Sequence, residues 1–239
     1  MPISPPDLPY WRLSAFYLGY LALLGGFIPY WNLYLARELL LSPALIGQLM
    51  ALTLLPRLLA PCFWGRLADR PGRTLAVVRL GAFMLALLWL ALAFARDITT
   101  LALLLLACTF FQNAVMAPFE AVTMAHLGER RARYGRIRGW GSLGFMAMVA
   151  GLGAGFDRFS LHWLPLILAG VAMGVWLVSL SVPDAPVPRR HRPSTALRDV
   201  LNDAPADLEA LPEVERDLRM RGALDELRER LRAAGAVTT

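Results

Sequence analysis

The chain of 239 residues is 57% hydrophobic and only 18% charged, with a mean hydropathy of +0.50 and a formal net charge of +6. That balance excludes an ordinary water-soluble domain and makes the lipid bilayer the expected solvent. All 24 basic residues are arginine, and they sit in short clusters between apolar runs rather than on one face of a polar domain, so a nucleic-acid-binding module is excluded as well.

A membrane-crossing helix needs about 20 mostly apolar residues. Six stretches meet that length: 13–36, 41–64, 74–95, 98–120, 136–156 and 160–182. The first follows Arg12, but it is too long for the apolar core of a signal peptide and no small-x-small cleavage site follows it, so it is read as a span. The second carries Arg57 and Cys62. The third and fourth contain "LALLWLALAFA" and "TLALLLLACTFF", helix-forming runs with no polar face and no period of two, which excludes a β-barrel. In the fifth, Gly151 and Gly155 form a GxxxG step suited to close helix packing. Tyr30, Trp31 and Trp140 are belt residues or cavity walls, with Trp31 assigned to the belt. Cys62, Cys108, His126, His162 and His191 have no metal-ligand spacing, so no metal or cofactor is expected. The expected fold class is therefore all-α, a polytopic membrane protein with six transmembrane helices in residues 1–182.

Arginines beside the spans set the orientation. The turn after the second span carries Arg66, Arg70 and Arg73; the turn after the fourth carries Arg130, Arg131, Arg133, Arg136 and Arg138; the segment after the sixth begins with Arg189, Arg190 and Arg192. The intervening turns hold one arginine each beside an acid: Arg37–Glu38, Arg96–Asp97 and Asp157–Arg158. The first set is expected on the cytoplasmic side, with both termini inside. From Pro183 the sequence turns polar, giving a proline- and arginine-rich linker over 183–193 and a charged tail over 194–239. In that tail, Glu215–Arg219 and Glu226–Arg230 are i,i+4 partners of a solvated helix.

The turn "GRLADRPGRT" has a physical logic of its own. Gly65 lets a helix end and backbones approach, Pro71 and Gly72 set a tight turn, Asp69 suits the positive end of a helix, and Arg70 and Arg73 hold the turn at an anionic surface. The order Gly65, Leu67, Ala68, Asp69, Arg70, Gly72, Arg73 resembles the signature loop between the second and third helices of major facilitator superfamily transporters. "GFIPYWNLYL", "IGQLMALTLLPRLLAPCFWGRLAD" and "YGRIRGWGSLGF" are similar to the branch of lactose-permease-like and phenylpropionate-permease-like proteins. The resemblance covers about 180 residues, the first six-helix half. It implies a 3+3 inverted repeat, a solute path bordered by these helices, and a latch role for the loop.

Ionisable groups inside spans cost about 2.5–3.5 kcal/mol at mid-helix, so each asks for a reason. Arg79 lies near the inner surface, where its chain can snorkel. Arg57 lies about 12 Å deep, counting 1.5 Å per residue back from Gly65, and is expected to face the bundle interior or a cavity. Glu120 and Arg138 are expected at similar depths on adjacent antiparallel helices, either as a polar solute site or as a structural ion pair. The lactose-permease resemblance implies the solute site, with Phe145 as an aromatic that stacks on the solute.

These residues point to a secondary transporter of a small organic solute in the cell inner membrane, coupled to protons. Because a full member has about twelve spans, the half-sized pattern reads as a truncated or frame-shifted product, as a half that pairs with a second half-transporter chain or a copy of itself, or as a non-transporting membrane interaction protein. Motifs for phosphate cradling, nucleophilic triads and metal hydrolysis are absent from the sequence, so an enzyme is not expected.

Overall fold

The computed structural model describes residues 8–68, 73–128, 130–156 and 158–184. These belong to the first of the two units into which the chain divides, Met1–Arg189. The linker beyond residue 184 and the whole charged tail lie outside the described residues.

Among the described residues all regular structure is helical. The α-helices are α1 (Tyr10–Arg37), α2 (Pro43–Leu52), α3 (Leu54–Ala68), α4 (Thr74–Leu92), α5 (Ile98–Gln112), α6 (Met116–Leu127), α7 (Tyr134–Phe156) and α8 (Leu164–Ser181). They compose six segments long and apolar enough to cross a membrane: Tyr10–Arg37, Pro43–Ala68, Thr74–Leu92, Ile98–Leu127, Arg131–Phe156 and Leu161–Ser181.

Two spans are interrupted where proline removes a backbone donor. Pro56 leaves the Leu52 carbonyl without its i+4 partner, and the chain breaks at Thr53, whose hydroxyl donates back to the Met50 carbonyl at 2.7 Å. Pro118 does the same to Ala114, and residues 113–115 form a turn between α5 and α6. Carbonyls released in an apolar medium must be satisfied by other groups. Around the 113–115 turn the Phe110 carbonyl takes Trp64 Nε1 as its donor at 2.8 Å, and the carbonyls of Thr109 and Gln112, which also accept backbone N–H groups, are reinforced by Asn113 Nδ2 at 2.8 Å and Tyr20 Oη at 3.4 Å. Pro29 and Pro61 stay inside α1 and α3, so proline alone does not dictate a break.

The packing has a pattern of exchange. α1 packs on α7 and α8, α5 packs on α3 and α4, and α4 packs on α8. In span order, the first touches the fifth and sixth, the fourth touches the second and third, and the third meets the sixth. Two three-helix units related by a two-fold axis produce that arrangement. The tightest seam is α1 against α7. A Cβ on Gly144 would strike the Leu18 carbonyl, one on Gly25 would lie 2.6 Å from the Phe145 carbonyl, and one on Gly141 would meet Leu21 and the Tyr17 carbonyl. The close-packing glycines of the fifth span are therefore Gly141 and Gly144. Gly151 is exposed and Gly155 half-buried, with nothing within 4 Å of an added Cβ at either, which corrects the reading of that GxxxG step.

Both ends of the bundle are fastened by polar contacts. Arg79 donates to the carbonyls of Ser179 (3.3 Å) and Val182 (3.0 Å), and Arg12 to that of Ser181 (2.8 Å). Two guanidinium groups thus satisfy the C-terminal carbonyls of α8, where the helix dipole favours cations. Arg79 serves the protein rather than reaching for lipid headgroups. At the opposite end the Ser160 hydroxyl donates to Glu38 Oε1 at 3.4 Å. Trp31 is not a belt residue: it is 1% exposed and packs among Phe27, Tyr34 and Trp89.

Candidate functional site

Glu120 sits on α6, about 10 Å from its end at Leu127 by helical rise, and Arg138 sits in the second turn of α7. Both side chains are half-buried. The turn between the helices brings them to one neighbourhood, yet among the described residues they form no direct ion pair, because each is engaged by a tyrosine. The Tyr134 hydroxyl donates to Glu120 Oε1 at 3.4 Å. Arg138 Cζ lies 5.5 Å from the centroid of the Tyr17 ring, a cation–π contact worth about 0.5–2 kcal/mol.

Tyr17 is the hub. Its ring meets Tyr134 edge-on at 6.5 Å and Phe119 at 5.3 Å, and its hydroxyl donates to Thr123 Oγ1 at 3.2 Å. The Thr123 hydroxyl in turn donates a hydrogen bond to the Phe119 carbonyl at 2.9 Å, while Phe16 stacks on Phe119 at 3.5 Å. These contacts bind α1 to α6 at the level of the acid. Three residues on, Tyr20 shares the same helical face, and its hydroxyl donates to the Gln112 carbonyl at the end of α5.

Arg57 is exposed relative to the rest of the chain. Phe145, seven residues beyond Arg138, lies about 10 Å farther along α7; its backbone abuts Gly25 and its ring packs half-buried against the bundle core. It does not join the tyrosine cluster. Tyr17, Tyr20 and Tyr134 are the site neighbours that sequence reasoning passed over, although Tyr17 and Tyr20 interrupt an apolar helix at i,i+3.

In the charged turn, Gly65 does not end its helix: α3 runs on to Ala68, and a Cβ on Gly65 would meet nothing within 4 Å. Arg73 is exposed at the N-cap of α4. The Thr74 hydroxyl donates to the Ala68 carbonyl at 2.8 Å and closes the loop's base. Asp69, Arg70 and Gly72 lie outside the described residues.

Six membrane-length segments in two exchanged triplets, with an acid and a guanidinium on neighbouring segments of the second, define a polytopic protein with the architecture of a secondary-transporter half. The chain belongs to the MFS_1 like family, whose model matches residues 10–226. It is 30% identical over 129 residues to the maltose permease of Geobacillus stearothermophilus, covering 54% of this chain and 33% of that protein. It is also 30% identical over 145 residues to the uncharacterized transporter YwbF of Bacillus subtilis, covering 60% and 36%. With the probable 3-phenylpropionic acid transporter of Escherichia coli it shares 26% over 166 residues, covering 68% and 44%. The chain therefore spans between a third and a half of these relatives. The crystal structure of the nucleoside transporter NupG (D323A mutant) superposes with a TM-score of 0.72 at 19% identity, over 79% of this chain and 47% of that one, a likeness of fold.

Proposed function

We propose that the chain takes part in the transmembrane passage of a small organic solute by a secondary mechanism, with Glu120, Arg138 and Arg57 bordering the solute path and the 65–73 turn gating it on the cytoplasmic face. The observation that carries this reading is that Glu120 and Arg138 lie half-buried on neighbouring membrane-length segments, each engaged by a tyrosine. Charges at that depth are costly, and a hydrophilic path offsets their desolvation. Proton coupling belongs to the proposal through Glu120, as do an inner-membrane location and cytoplasmic termini, the latter supported by the arginine asymmetry of the turns. The names of the relatives, permeases and transporters, support the same activity.

The second and fifth spans are the least buried of the six. Leu54, Leu55, Leu58, Leu59 and Phe63 are exposed along α3 around Arg57, as are Leu143 and Met146 on α7. A face that mixes leucines with a deep arginine suits a second six-helix half, contributed by another chain or another copy, better than lipid. The test is uptake into proteoliposomes under an imposed proton gradient, with and without Glu120→Gln. Gradient-driven accumulation that the substitution abolishes supports the proposal; folded protein that accumulates no solute under any gradient overturns it.

A further inference from the structure

We infer that the cavity where α1, α4 and α5 meet is a hydration site. It holds one ordered water, bound by the indole N–H of Trp89, the hydroxyl of Thr109 and the side-chain amide of Gln112, and that water ties the third span to the fourth just before the 113–115 joint. The inference goes beyond the transport reading and does not depend on it.

The cavity has a volume of about 10 Å³. A buried water needs roughly 10–15 Å³ and about two to four polar partners, whereas a hole lined only by hydrocarbon stays dry. There is room here for one molecule. Leu24 and Phe27 of α1 form part of the wall, and the Phe27 ring meets Trp89 edge-on at 5.4 Å. Trp89 comes from α4, and Cys108, Thr109 and Gln112 come from α5. The wall therefore combines apolar surface with three groups able to form strong hydrogen bonds and one thiol able to form a weak one.

Those three groups are matched to a water in sense as well as in place. Trp89 is 3% exposed, and its N–H, which can only donate, makes no hydrogen bond among the described residues. The orphaned Nε1 of Trp31 is sealed from any probe of water size; that of Trp89 is not, and the cavity lies beside its ring. The Thr109 hydroxyl donates to the Leu105 carbonyl at 3.0 Å, which leaves its oxygen as an acceptor. Gln112 accepts from Tyr20 through its backbone carbonyl, and its amide, unengaged among the described residues, can donate or accept. A water that accepts from Trp89, donates to Thr109 and bonds Gln112 in either sense satisfies all three. Without it the indole N–H bears its desolvation uncompensated. Gln112 is the last residue of α5. Its carbonyl is held from α1 by Tyr20 and its side chain from α4 through the water, so the end of the helix before the joint is fixed from two sides.

The test is X-ray hydroxyl-radical footprinting of the purified full chain in lipid nanodiscs, read by mass spectrometry. Radicals generated from a held water oxidise the side chains that touch it even where bulk water does not reach. Trp64, also 3% exposed but with its N–H bonded to the Phe110 carbonyl, is the dry reference. Trp89 is expected to oxidise several times faster than Trp64. On rapid mixing with heavy-oxygen water, the isotope is expected to appear at Trp89 later than at Trp11, which is 69% exposed, because a held water exchanges slowly. Cys108→Leu fills the cavity, and the double change Thr109→Val with Gln112→Leu removes two of its polar partners; each is expected to bring Trp89 down to the rate of Trp64. Variants are compared only after their circular dichroism and size-exclusion profiles match the parent, and the comparison of Trp89 with Trp64 in the parent needs no substitution at all. Trp89 oxidising no faster than Trp64, isotope arriving at Trp89 as quickly as at Trp11, or a Trp89 rate unchanged in either folded variant overturns the inference.

Discussion

Replacing Gly144 with alanine tests whether the α1–α7 seam sets the shape of the bundle. The new methyl would meet the Leu18 carbonyl oxygen, with the carbonyl carbon at 2.9 Å and Cα at 3.1 Å. All three atoms are backbone, so no rotamer change relieves the clash and the helices must part. Overpacking of this kind costs about 1–3 kcal/mol, while the better helix propensity of alanine returns at most about 1 kcal/mol. With an immovable neighbour the net loss should be about 2 kcal/mol, on the order of thirtyfold in the folding equilibrium. Gly151→Ala is the control on the same helix: its methyl meets nothing, so it should be neutral or stabilise by up to about 1 kcal/mol. Thermal unfolding in detergent, followed by circular dichroism, reads the difference between the two variants. A Gly144→Ala protein as stable as Gly151→Ala would refute the packing argument.

Tyr134→Phe removes one long hydrogen bond to Glu120. It should slow solute uptake roughly fivefold, the scale of about 1 kcal/mol, with little change in unfolding temperature; unchanged uptake kinetics would show the bond to be idle. Arg79→Leu should destabilise the protein by about 2 kcal/mol through the orphaned carbonyls of α8, and Arg12→Leu by less because that bond is exposed, both read from detergent thermal melts. Asp97 caps α5 by accepting the Thr100 N–H at 2.8 Å, and that bond holds its carboxyl below the usual aspartate range. A carboxyl whose pKa is depressed by folding stabilises above its unfolded value, about 3.9, and loses that contribution as the pH falls through the lower folded value. Melts recorded down through this acid range should therefore show a loss that Asp97→Asn, still able to cap, does not share.

The six spans were legible because length and hydropathy are properties of contiguous sequence, and Glu120 and Arg138 stood out because ionised groups are rare in such segments. What escaped reading depends on which way a helix faces. A GxxxG step names a spacing but no partner, so Gly151–Gly155 looked as eligible as Gly141–Gly144 until α1 was set against one of them. Trp31 carries the chemistry of a belt residue, and only the aromatic neighbours contributed by α1 and α4 bury it. The tyrosine cluster was hidden for the same reason, since its members come from α1 and α7 and acquire meaning only around an acid on α6. The break before Pro118 was in principle visible, but Pro61 shows that the same residue leaves another helix intact, and whether carbonyls find substitute donors is a matter of tertiary neighbours.

The joint at 113–115 has a mechanical corollary. With the regular hydrogen-bond ladder interrupted there, α6 is a short stiff rod hung from a pivot, and Glu120 rides about 9 Å out along it. A tilt of only about 10° would carry the carboxylate sideways by roughly 1.5 Å, half the length of a hydrogen bond. Trp64 and Tyr20 grip the other side of the pivot from two different helices, while Phe16 and Tyr17 clasp the rod beside the acid, so any swing of the carboxylate must carry those α1 contacts with it.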